Sequence, residues 1–578
     1  MKQLVVAAWL AVSSSSIVSA QSQDPRVGLR AGWMDAGQAI WNMELLSSTP
    51  RPPGWFDAAN LNSYQTINSD LAFKRNLIIQ GSFHGFMIWD ATDVRHPKLR
   101  TAFPCPGGQM DPSVYGDLLF LAAEMPNARV DCGTQGVRDS VSKERFKGVR
   151  IFDISDIDHP KQVATVQTCR GAHTQTLLTD PKDRANIYVY GSGTFAVRSP
   201  NELAGCSARP ADQDSTTSLF RIDVIRVPLV APQQARVISS PRLFADSGRI
   251  NGLWKGGNHG DGTQTTEITD QCHDITVYQA IGLGAGACSG NGILIDISKP
   301  AEPKRVAVVS DPNFAYWHSA TFNNDGTTVV FTDEWGGGQA ARCRSTDKPE
   351  WGADALFKLS RHTLTPAGYY KLPAPQTAEE NCVAHNGSLI PVPGRDIMVQ
   401  AWYQGGISVV DFTDASHPQE IAFFDRGPVD STRLVSFGGS WSAYWYNGHI
   451  ISSEIARGLD ILSLKPSALL TQNEIDAANL VHFDTFNAQT QPKIVWPAAS
   501  SVARAYLDQL ARNDGLAAAR RSAIGEELDR TEKLRGAPRR TALTKLGTSI
   551  SADAGSASDS AKVRKLADVV AALGKAER

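Results

Sequence analysis

The chain has 578 residues, of which 42% are hydrophobic and 20% are charged, a composition typical of a globular protein rather than of a disordered or membrane-embedded one. This length allows several domains, or one closed array of repeats. The formal net charge is only −2, so bulk charge indicates neither a nucleic acid nor an anionic membrane as a partner.

The N-terminus is typical of a secretory signal peptide. Lys2 precedes an apolar run over residues 4–12, and Val18, Ser19 and Ala20 form a small-residue cleavage site. We therefore expect residues 1–20 to be removed, so that the mature chain begins near Gln21 and is secreted or periplasmic. No cysteine follows to take a lipid, and no other stretch is long and apolar enough to span a bilayer.

A short motif recurs through the next part of the chain: an apolar strand with one Asp, a polar turn, and usually Pro with Lys or Gln. Clear copies are WDATDVRHPK at 89–98, IFDISDIDHPK at 151–161, LIDISKPAEPK at 294–304 and VVDFTDASHPQ at 409–419, and weaker copies surround Asp223, Lys358 and Asp460. Self-similarity at intervals of roughly 50 to 70 residues is typical of propellers and solenoids. The repeated Asp is expected to bind backbone amides of the following turn.

The repeats predict an all-β fold, a seven-bladed β-propeller over residues 35–470. From His318 onward, HSATF, TVVFTDEW, ALFKLS and GYYKLP read as the four antiparallel strands of one blade. The same reading in the other units aligns one position at the start of each innermost strand: Ser69, Asp111, His173, His273, His318, His385 and Ser442. Blade 3 carries an insertion through residues 257–271.

The last repeat unit lacks a fourth strand. Residues 41–52, near the N-terminus, resemble a fourth strand but belong to no repeat unit. Because a ring of blades leaves two open edges unless one chain end completes the other's blade, we expect residues near 41–50 to close blade 7.

The IxDIS…P pattern resembles the repeats of the LVIVD family, secreted or surface propeller-like proteins whose biochemical activity is largely undefined. The resemblance covers roughly residues 35–470 and implies a propeller fold. It supplies no catalytic residues.

Residues 471–578 are predicted to form a helical C-terminal region. Apolar residues recur at helical spacing over 501–512, 516–534 and 560–574, and a Gly/Ser-rich linker is expected near 547–560. These helices either pack against the propeller or dock a partner.

Four of the aligned positions carry histidine, which predicts a functional site at the mouth of the central channel. His173, His273, His318 and His385 lie in consecutive blades, and Asp111 holds the position in blade 2. The second strands bring Glu124, Glu334 and Glu454 to the same face. Imidazoles with one or two carboxylates suit a divalent transition metal. Histidines that only bind neighbouring backbone, or a metal-free ligand pocket, are the alternatives.

Eight cysteines in an exported chain predict four disulfides. Four cysteines each precede an innermost strand, namely Cys105, Cys169, Cys272 and Cys382, and the other four each follow a second strand. Pairing in sequence order would place all four disulfides at the channel mouth: Cys105 with Cys132, Cys169 with Cys206, Cys272 with Cys288, and Cys343 with Cys382. Other pairings and thiolate metal ligands remain open.

Two functions follow from these features. The first is a metal-dependent hydrolase or oxidase, in which His173, His273, His318, His385, Asp111 and Glu124 hold the ion while Glu334 or Glu454 ligates it or acts as general base. The second is a non-enzymatic extracellular binding or scaffold protein that uses the propeller face or the helical tail. The ligand would be a small molecule or an extracellular protein. The sequence contains no GxSxG, phosphate-loop or HExxH motif.

Overall fold

The computed structural model describes residues 24–57, 59–61, 63 and 66–577. The predicted signal peptide over residues 1–20 lies outside these ranges. Within them, no helix is long and apolar enough to cross a membrane.

The strands form seven four-stranded antiparallel blades. Two strands precede blade 1, namely β1 (Gln38–Trp41) and β2 (Met43–Pro50). Blade 1 comprises β3 (Asn68–Lys74), β4 (Leu77–Ser82), β5 (Gly85–Asp90) and β6 (Lys98–Pro104). Blade 2 comprises β7 (Pro112–Tyr115), β8 (Leu118–Ala123), β9 (Gly148–Asp153) and β10 (Lys161–Gln167). Blade 3 comprises β11 (Thr174–Thr179), β12 (Asn186–Ser192), β13 (Asp223–Pro228) and β14 (Arg236–Ser239).

A separate hairpin, β15 (Lys255–Asn258) and β16 (Thr265–Ile268), follows at the predicted insertion. Blade 4 comprises β17 (Ile275–Tyr278), β18 (Leu283–Cys288), β19 (Asn291–Asp296) and β20 (Lys304–Val309). Blade 5 comprises β21 (Trp317–Phe322), β22 (Thr328–Asp333), β23 (Asp354–Ser360) and β24 (Thr363–Tyr370). Blade 6 comprises β25 (Gly387–Ile390), β26 (Ile397–Ala401), β27 (Ile407–Asp411) and β28 (Gln419–Arg426). Blade 7 comprises β29 (Ser440–Tyr446), β30 (His449–Glu454), β31 (Gly458–Leu464) and the N-terminal β2.

The first strands of the blades (β3, β7, β11, β17, β21, β25 and β29) contact one another in that order and close into a ring. The predicted seven-bladed propeller is therefore confirmed. Apolar side chains of adjacent blades pack together between the sheets and form the core.

The repeated Asp is a turn residue, as the motif predicted. The carboxylates of Asp90, Asp153, Asp296 and Asp411 each accept the backbone N–H two residues further along, at 2.8 to 2.9 Å. This bond holds the turn between the third and fourth strands. Asp460 in blade 7 instead pairs with Arg426 at 2.6 Å.

The ring is closed by the N-terminal segment. β2 pairs antiparallel with β31 over Met43 to Pro50 and supplies the missing fourth strand of blade 7, at the place where the sequence predicted closure. The preceding strand β1 pairs with β28 and adds a fifth strand to blade 6, which the sequence did not predict. A single chain end thus covers the edges of two neighbouring blades.

A segment after blade 7, which we call the floor segment (residues 485–496), crosses the channel at the end remote from the starts of the innermost strands. It begins as β32 (Thr485–Asn487), which pairs with the second half of β3. The Asn487 amide exchanges bonds of 2.7 and 2.9 Å with the backbone of Val114 in blade 2, and Gln491 does the same with Phe322 in blade 5 at 3.0 and 2.8 Å. The side-chain amides of Asn487 and Gln491 thereby pair with backbone groups at the edges of the innermost strands.

The C-terminal region is helical, as predicted. It contains α1 (Gln472–Ala478) before the floor segment, and α2 (Ser500–Arg512), α3 (Ala518–Glu532), α4 (Gly536–Asp553) and α5 (Ser560–Ala576) after it. The linker predicted near 547–560 is wrong for residues 547–553, which are the last turns of α4. Leu546 and Ile550 are buried there, and Gly547 lets α4 approach α5, since a β-carbon would lie 3.2 Å from the Ala571 nitrogen.

Candidate metal centre

The structure brings the four predicted histidines into one row at the starts of the innermost strands of blades 3 to 6. Neighbouring ring centroids are 4.1 Å apart for His173 and His273, 3.9 Å for His273 and His318, and 4.1 Å for His318 and His385. Because each histidine comes from a different blade, the spacing of the row is set by the packing of the innermost strands.

In every ring of the row, Nδ1 is bonded to the surrounding protein. Nδ1 of His173 contacts the Glu124 carboxylate, that of His273 lies 3.0 Å from Asp274 Oδ1, and that of His318 lies 3.4 Å from the Thr332 hydroxyl. The remaining ring, His385, donates from Nδ1 to the Trp441 carbonyl, which can only accept. Nε2 of His385 therefore carries a lone pair.

The Nε2 atoms face the carboxylate of Glu334. The Nε2 to carboxylate-oxygen distances are 3.9 Å from His273, 3.8 Å from His318 and 3.6 Å from His385. The ligand atoms of His273, His318 and Glu334 all lie within 4.8 Å of one another. Two ligands about 2.1 Å from a tetrahedral zinc ion are about 3.4 Å apart, so this group is compact enough to hold one metal ion.

Two of these nitrogens have no hydrogen-bond partner among the described residues: Nε2 of His318 and Nε2 of His385 are both buried and unsatisfied. Burial, followed by the neighbouring imidazoles, lowers the pKa of His318 well below its usual value and that of His385 to about 3. Both rings are therefore neutral at physiological pH, and Nε2 of His385 presents its lone pair to Glu334.

Glu334 is held by the aromatic residue Tyr403, whose hydroxyl donates to Oε1. Tyr403 has a left-handed backbone, with φ of 53°, which is uncommon for a bulky residue. Gly338 packs directly on its ring, since a β-carbon at that glycine would lie 2.2 Å from Tyr403 Cζ. Burial raises the pKa of Glu334 to about 7.

His173 differs from the other three histidines. Its Nε2 lies 2.6 Å from Nε2 of His273 and 2.9 Å from the amide of Gln109. Burial opposes a charge on this ring, but the Glu124 carboxylate outweighs that cost and raises the pKa of His173 to about 9. His173 therefore carries a proton, and its Nε2–H donates to Nε2 of His273; a metal ion bound to that nitrogen would replace this hydrogen bond.

The centre is surrounded by buried acids that have no Lys or Arg partner among the described residues. The five are Asp70, Asp111, Glu124, Asp274 and Glu334, all buried. Their only ionic contacts are with the histidines. Burial raises the pKa of Asp70 and of Asp274 to about 6. Five buried carboxyls that share one protonated histidine, His173, favour binding of a further cation.

The four predicted acids lie in four different places. Glu334 is central. Glu124 lies behind His173, where its oxygens also accept from Thr194 at 2.7 and 2.8 Å, so it supports the ring rather than facing the Nε2 atoms. Asp111 accepts the Asp70 N–H at 3.3 Å deeper in the channel. Glu454 is not brought to the histidines, because both its oxygens bind Arg457.

Several residues of the centre were not anticipated from the sequence. Asp274 directly follows His273, so the His-Asp pair in QCHDIT was an available signal. Thr332 reaches His318 from a neighbouring strand, a contact that only the fold creates. Gln489 of the floor segment donates to Asp274 at 3.4 Å, and no sequence feature indicated this contact.

A cavity of about 720 Å³ opens above the row. His173, His273 and Glu334 line it, whereas His318 and His385 do not. The aromatic residues Tyr316, Trp335, Tyr403 and Trp441 form part of its wall. The volume falls in the range of small-molecule sites, roughly 300 to 1,000 Å³.

All four disulfides join the cysteines in sequence order, as predicted: Cys105–Cys132, Cys169–Cys206, Cys272–Cys288 and Cys343–Cys382. No cysteine of the described residues is free, so thiolate ligation is excluded there. Cys272 adjoins His273, Cys382 lies three residues before His385, and Cys169 lies four residues before His173. The disulfides thus anchor the approaches to three of the histidines.

Comparisons with known proteins assign no function to the chain. No protein-family profile and no curated relative matches the chain. Similar solved structures include a putative 6-phosphogluconolactonase of Bacteroides fragilis (10% identity, TM-score 0.39, covering 67% of this chain and 87% of that one) and the periplasmic gluconolactonase of Pseudomonas aeruginosa (11%, 0.39, 69% and 97%). The computationally designed protein Ika8 is similar to the same degree (10%, 0.35, 73% and 100%). Function has to be argued from the site.

Proposed function

We propose that this protein is an exported metal-dependent hydrolase whose divalent transition metal ion is held by His273, His318, His385 and Glu334. The observation that carries the proposal is the convergence of buried, neutral Nε2 atoms on one carboxylate while every Nδ1 is bonded behind. Bonding of the second ring nitrogen to a carboxylate or carbonyl is typical of metal-ligating histidines, because it fixes the ring and its tautomer.

The donor set indicates the class of metal. Neutral imidazole with carboxylate suits zinc, iron, nickel, copper or manganese, while calcium and magnesium prefer all-oxygen shells. When bound, such an ion supplies Lewis acidity and lowers the pKa of a coordinated water. The surrounding buried carboxyls would balance its charge.

His173 and Glu124 supply the proton-transfer pair in this proposal. His173 lines the cavity, it carries a proton, and the carboxylate behind it fixes its orientation. A protonated imidazole beside the reacting bond can donate to a leaving group. Glu334 is the ligand that also borders the cavity, and the Tyr403 hydroxyl keeps its carboxylate in place.

Elemental analysis of the purified mature protein tests the centre. Wild-type protein is expected to contain, or to take up on reconstitution, about one transition metal ion per chain, and His273→Ala and His318→Ala are expected to lose it. His417→Ala is the matched control, because His417 is an exposed turn residue outside the centre. Wild-type protein that neither contains nor takes up a transition metal would contradict the proposal and favour a metal-free binding protein.

The role of Glu334 can be separated from that of a general base by Glu334→Gln. If Glu334 is a ligand, as proposed, the variant loses metal affinity along with hydrolysis of any substrate. A variant that keeps its full metal content and loses only turnover would instead make Glu334 the base. Equilibrium dialysis followed by assay on a panel of esters and lactones distinguishes the two results.

Oxidation is the second candidate, because two histidines and one carboxylate are also the ligand set of non-heme iron oxygenases. His273, His318 and Glu334 satisfy that set. Native iron or copper together with substrate-dependent oxygen consumption would favour this function. Native zinc with hydrolytic turnover would favour the first.

Export is part of the proposal. It is supported by the four disulfides, which persist in oxidising compartments, and by the N-terminal sequence. N-terminal sequencing of the protein from the extracytoplasmic fraction should begin near Gln21, and a mature protein that retains Met1 would contradict it.

A further inference from the structure

The wall of the cavity is aromatic on one side. Trp335 lines it directly after Glu334, and the Arg342 guanidinium lies over the Trp335 ring at 3.4 Å from the ring centroid and holds it in place. Trp441 and Tyr403 add to the aromatic wall, with ring centroids 6.2 Å apart and ring planes at 73° to each other. Rigid aromatic walls of this kind bind flat apolar groups with little loss of side-chain entropy.

The charges that line the cavity are acidic or already paired. Arg170 is the one Lys or Arg among the lining residues. Its nitrogens donate to the carbonyls of Thr194, Phe195 and Asp270 at 3.0 to 3.2 Å and pair with the Asp270 carboxylate at 3.3 Å. Glu267, on the insertion hairpin, lines the mouth, is exposed, and has no Lys or Arg partner among the described residues.

We infer that the cavity takes an uncharged or cationic molecule with a flat apolar part, and that it rejects anions such as carboxylates and phosphates. An anion would meet the free carboxylate of Glu267, while the two cationic groups that line the cavity, Arg170 and His173, are already paired with Asp270 and Glu124. A cation could lie on the Trp335 face and near Glu267. That such a molecule is the substrate rests on the proposed function, but its binding to the cavity can be measured without metal.

The test uses metal-stripped full-length protein and three probes of nearly equal shape: 2-naphthylmethanol, (2-naphthylmethyl)trimethylammonium and 2-naphthoate. Calorimetry and saturation-transfer NMR are expected to give Kd values at least about tenfold lower for the first two than for the anion, a difference of about 1.4 kcal/mol. Trp335→Ala should raise those two Kd values about tenfold. Trp41→Ala, an exposed tryptophan on β1, should leave them unchanged.

Glu267→Lys reverses the charge at the mouth and should increase 2-naphthoate binding. Equal or tighter binding of 2-naphthoate to the wild-type protein, or an unchanged Trp335→Ala, would overturn the inference. Because the metal content is determined separately, a protein that holds metal and binds the anion best would refute the substrate class and leave the metal centre standing.

A second inference follows from a different contact, between the floor segment and the centre. Gln489 is buried, and its carbonyl accepts the Val277 N–H of blade 4 at 2.8 Å. Its amide donates to Asp274 Oδ2 at 3.4 Å, while Asp274 Oδ1 lies 3.0 Å from Nδ1 of His273. A C-terminal residue is thereby joined to a proposed metal ligand through one carboxylate.

We propose that Gln489 is a positioning residue of the metal centre, so that the segment following the propeller completes the site. By holding one oxygen of Asp274, it keeps the other directed at His273 and so fixes the ring. Loss of such an outer contact typically costs about 10- to 100-fold in metal affinity. This inference rests on the proposed metal centre.

Gln489→Ala is compared with Asn487→Ala, a neighbour on the floor segment whose amide binds only the Val114 backbone. Both variants should lose stability, since each leaves buried groups unpaired. Only Gln489→Ala should weaken Co²⁺ binding, by about tenfold, and shift the visible spectrum of the Co²⁺ form. If wild-type protein binds Co²⁺ and the two variants retain the same affinity and spectrum, the positioning role is refuted. If wild-type protein binds no Co²⁺ or other transition metal, the centre itself is refuted, and this role with it.

Discussion

Each histidine of the row has its Nδ1 bonded to the surrounding protein, and the Nε2 atoms of His273, His318 and His385 face Glu334. The acceptors behind them differ in strength: carboxylates for His173 and His273, a carbonyl for His385 and a hydroxyl for His318. A carboxylate behind an imidazole increases its basicity and its strength as a ligand. His273 therefore has the strongest support of the three proposed ligands.

Asp274→Asn tests this residue-scale argument. The amide keeps the size of the side chain but removes the negative charge behind His273, so metal affinity is expected to fall about 10- to 100-fold. Co²⁺ titration followed by visible absorption gives the Kd. Glu454→Gln is the control, because Glu454 is buried against Arg457 and not against a histidine. It should lower the free energy of unfolding and leave the Kd unchanged; a loss of affinity there would contradict our placement of Glu454.

The repeat alignment could predict which residues start the innermost strands, and hence the histidine row. It could not rank Glu124, Glu334 and Glu454, because all three stand at the ends of second strands. Their directions depend on partners outside the motif: Thr194 of the next blade binds Glu124, Arg457 binds Glu454, and Tyr403 binds Glu334. Thr194 and Tyr403 are brought to their partners by the packing of neighbouring blades, whereas Arg457 is a local partner three residues after Glu454.

At the scale of elements, the disulfides connect the ends of strands that carry the site. Cys272 and Cys288 join the segment before β17 to the end of β18 within blade 4, next to His273. Cys105 and Cys132 join the segments around blade 2, where no proposed ligand lies. Both pairs constrain the unfolded chain, but only the first also constrains a ligand.

Removing each disulfide by a double Cys→Ala change separates these effects. The loop-entropy estimate gives a loss of about 3 kcal/mol for the separation of 16 residues and about 3.5 kcal/mol for that of 27. In denaturant unfolding, the free energy of unfolding should therefore fall slightly less for Cys272→Ala/Cys288→Ala than for Cys105→Ala/Cys132→Ala. Metal affinity should fall for Cys272→Ala/Cys288→Ala and stay unchanged for Cys105→Ala/Cys132→Ala, and the opposite ranking of affinities would contradict the link to His273.

Strands with the Asp motif were predictable because apolar alternation and turn chemistry agree in them. Helix α4 was not, since its Ala, Ser, Thr and Gly residues are equally typical of a linker. Its helical state depends on burial of Leu543, Leu546 and Ile550 against α5. Strand β1 is likewise defined by the free edge of blade 6, which is a property of the assembled ring.

For the whole molecule, the central question is how the helical region is attached to the propeller. Glu474 of α1 is fully buried and binds Arg395 of blade 6 at 3.0 Å and Arg512 of α2 at 2.6 Å. Arg395 also pairs with the turn residue Asp411. One carboxylate thus joins the propeller, α1 and α2, and the floor segment runs between those two helices.

Glu474→Gln should therefore weaken the whole assembly. Breaking a buried pair by removing one partner typically costs about 3 to 5 kcal/mol, because Arg395 and Arg512 would keep their charges without this partner. Burial raises the pKa of Glu474, but the bonds to Arg512 and the charge of Arg395 outweigh it, and the pKa is lowered from its usual 4.5. The carboxylate then stabilises the folded state above pH 4.5, and this stabilisation is lost as pH falls through the lowered value.

Urea unfolding at pH 7 and at steps below pH 4.5 measures the pH dependence. The wild-type free energy of unfolding should exceed that of Glu474→Gln by several kcal/mol at pH 7, within the range of about 3 to 5 kcal/mol for a broken buried pair, and the difference should shrink as the pH falls. Glu526→Gln, an exposed position on α3, should stay within about 0.5 kcal/mol of wild type at every pH. A difference for Glu474→Gln that stays constant down to the acid limit would show that the carboxylate charge is not what holds the helices to the propeller.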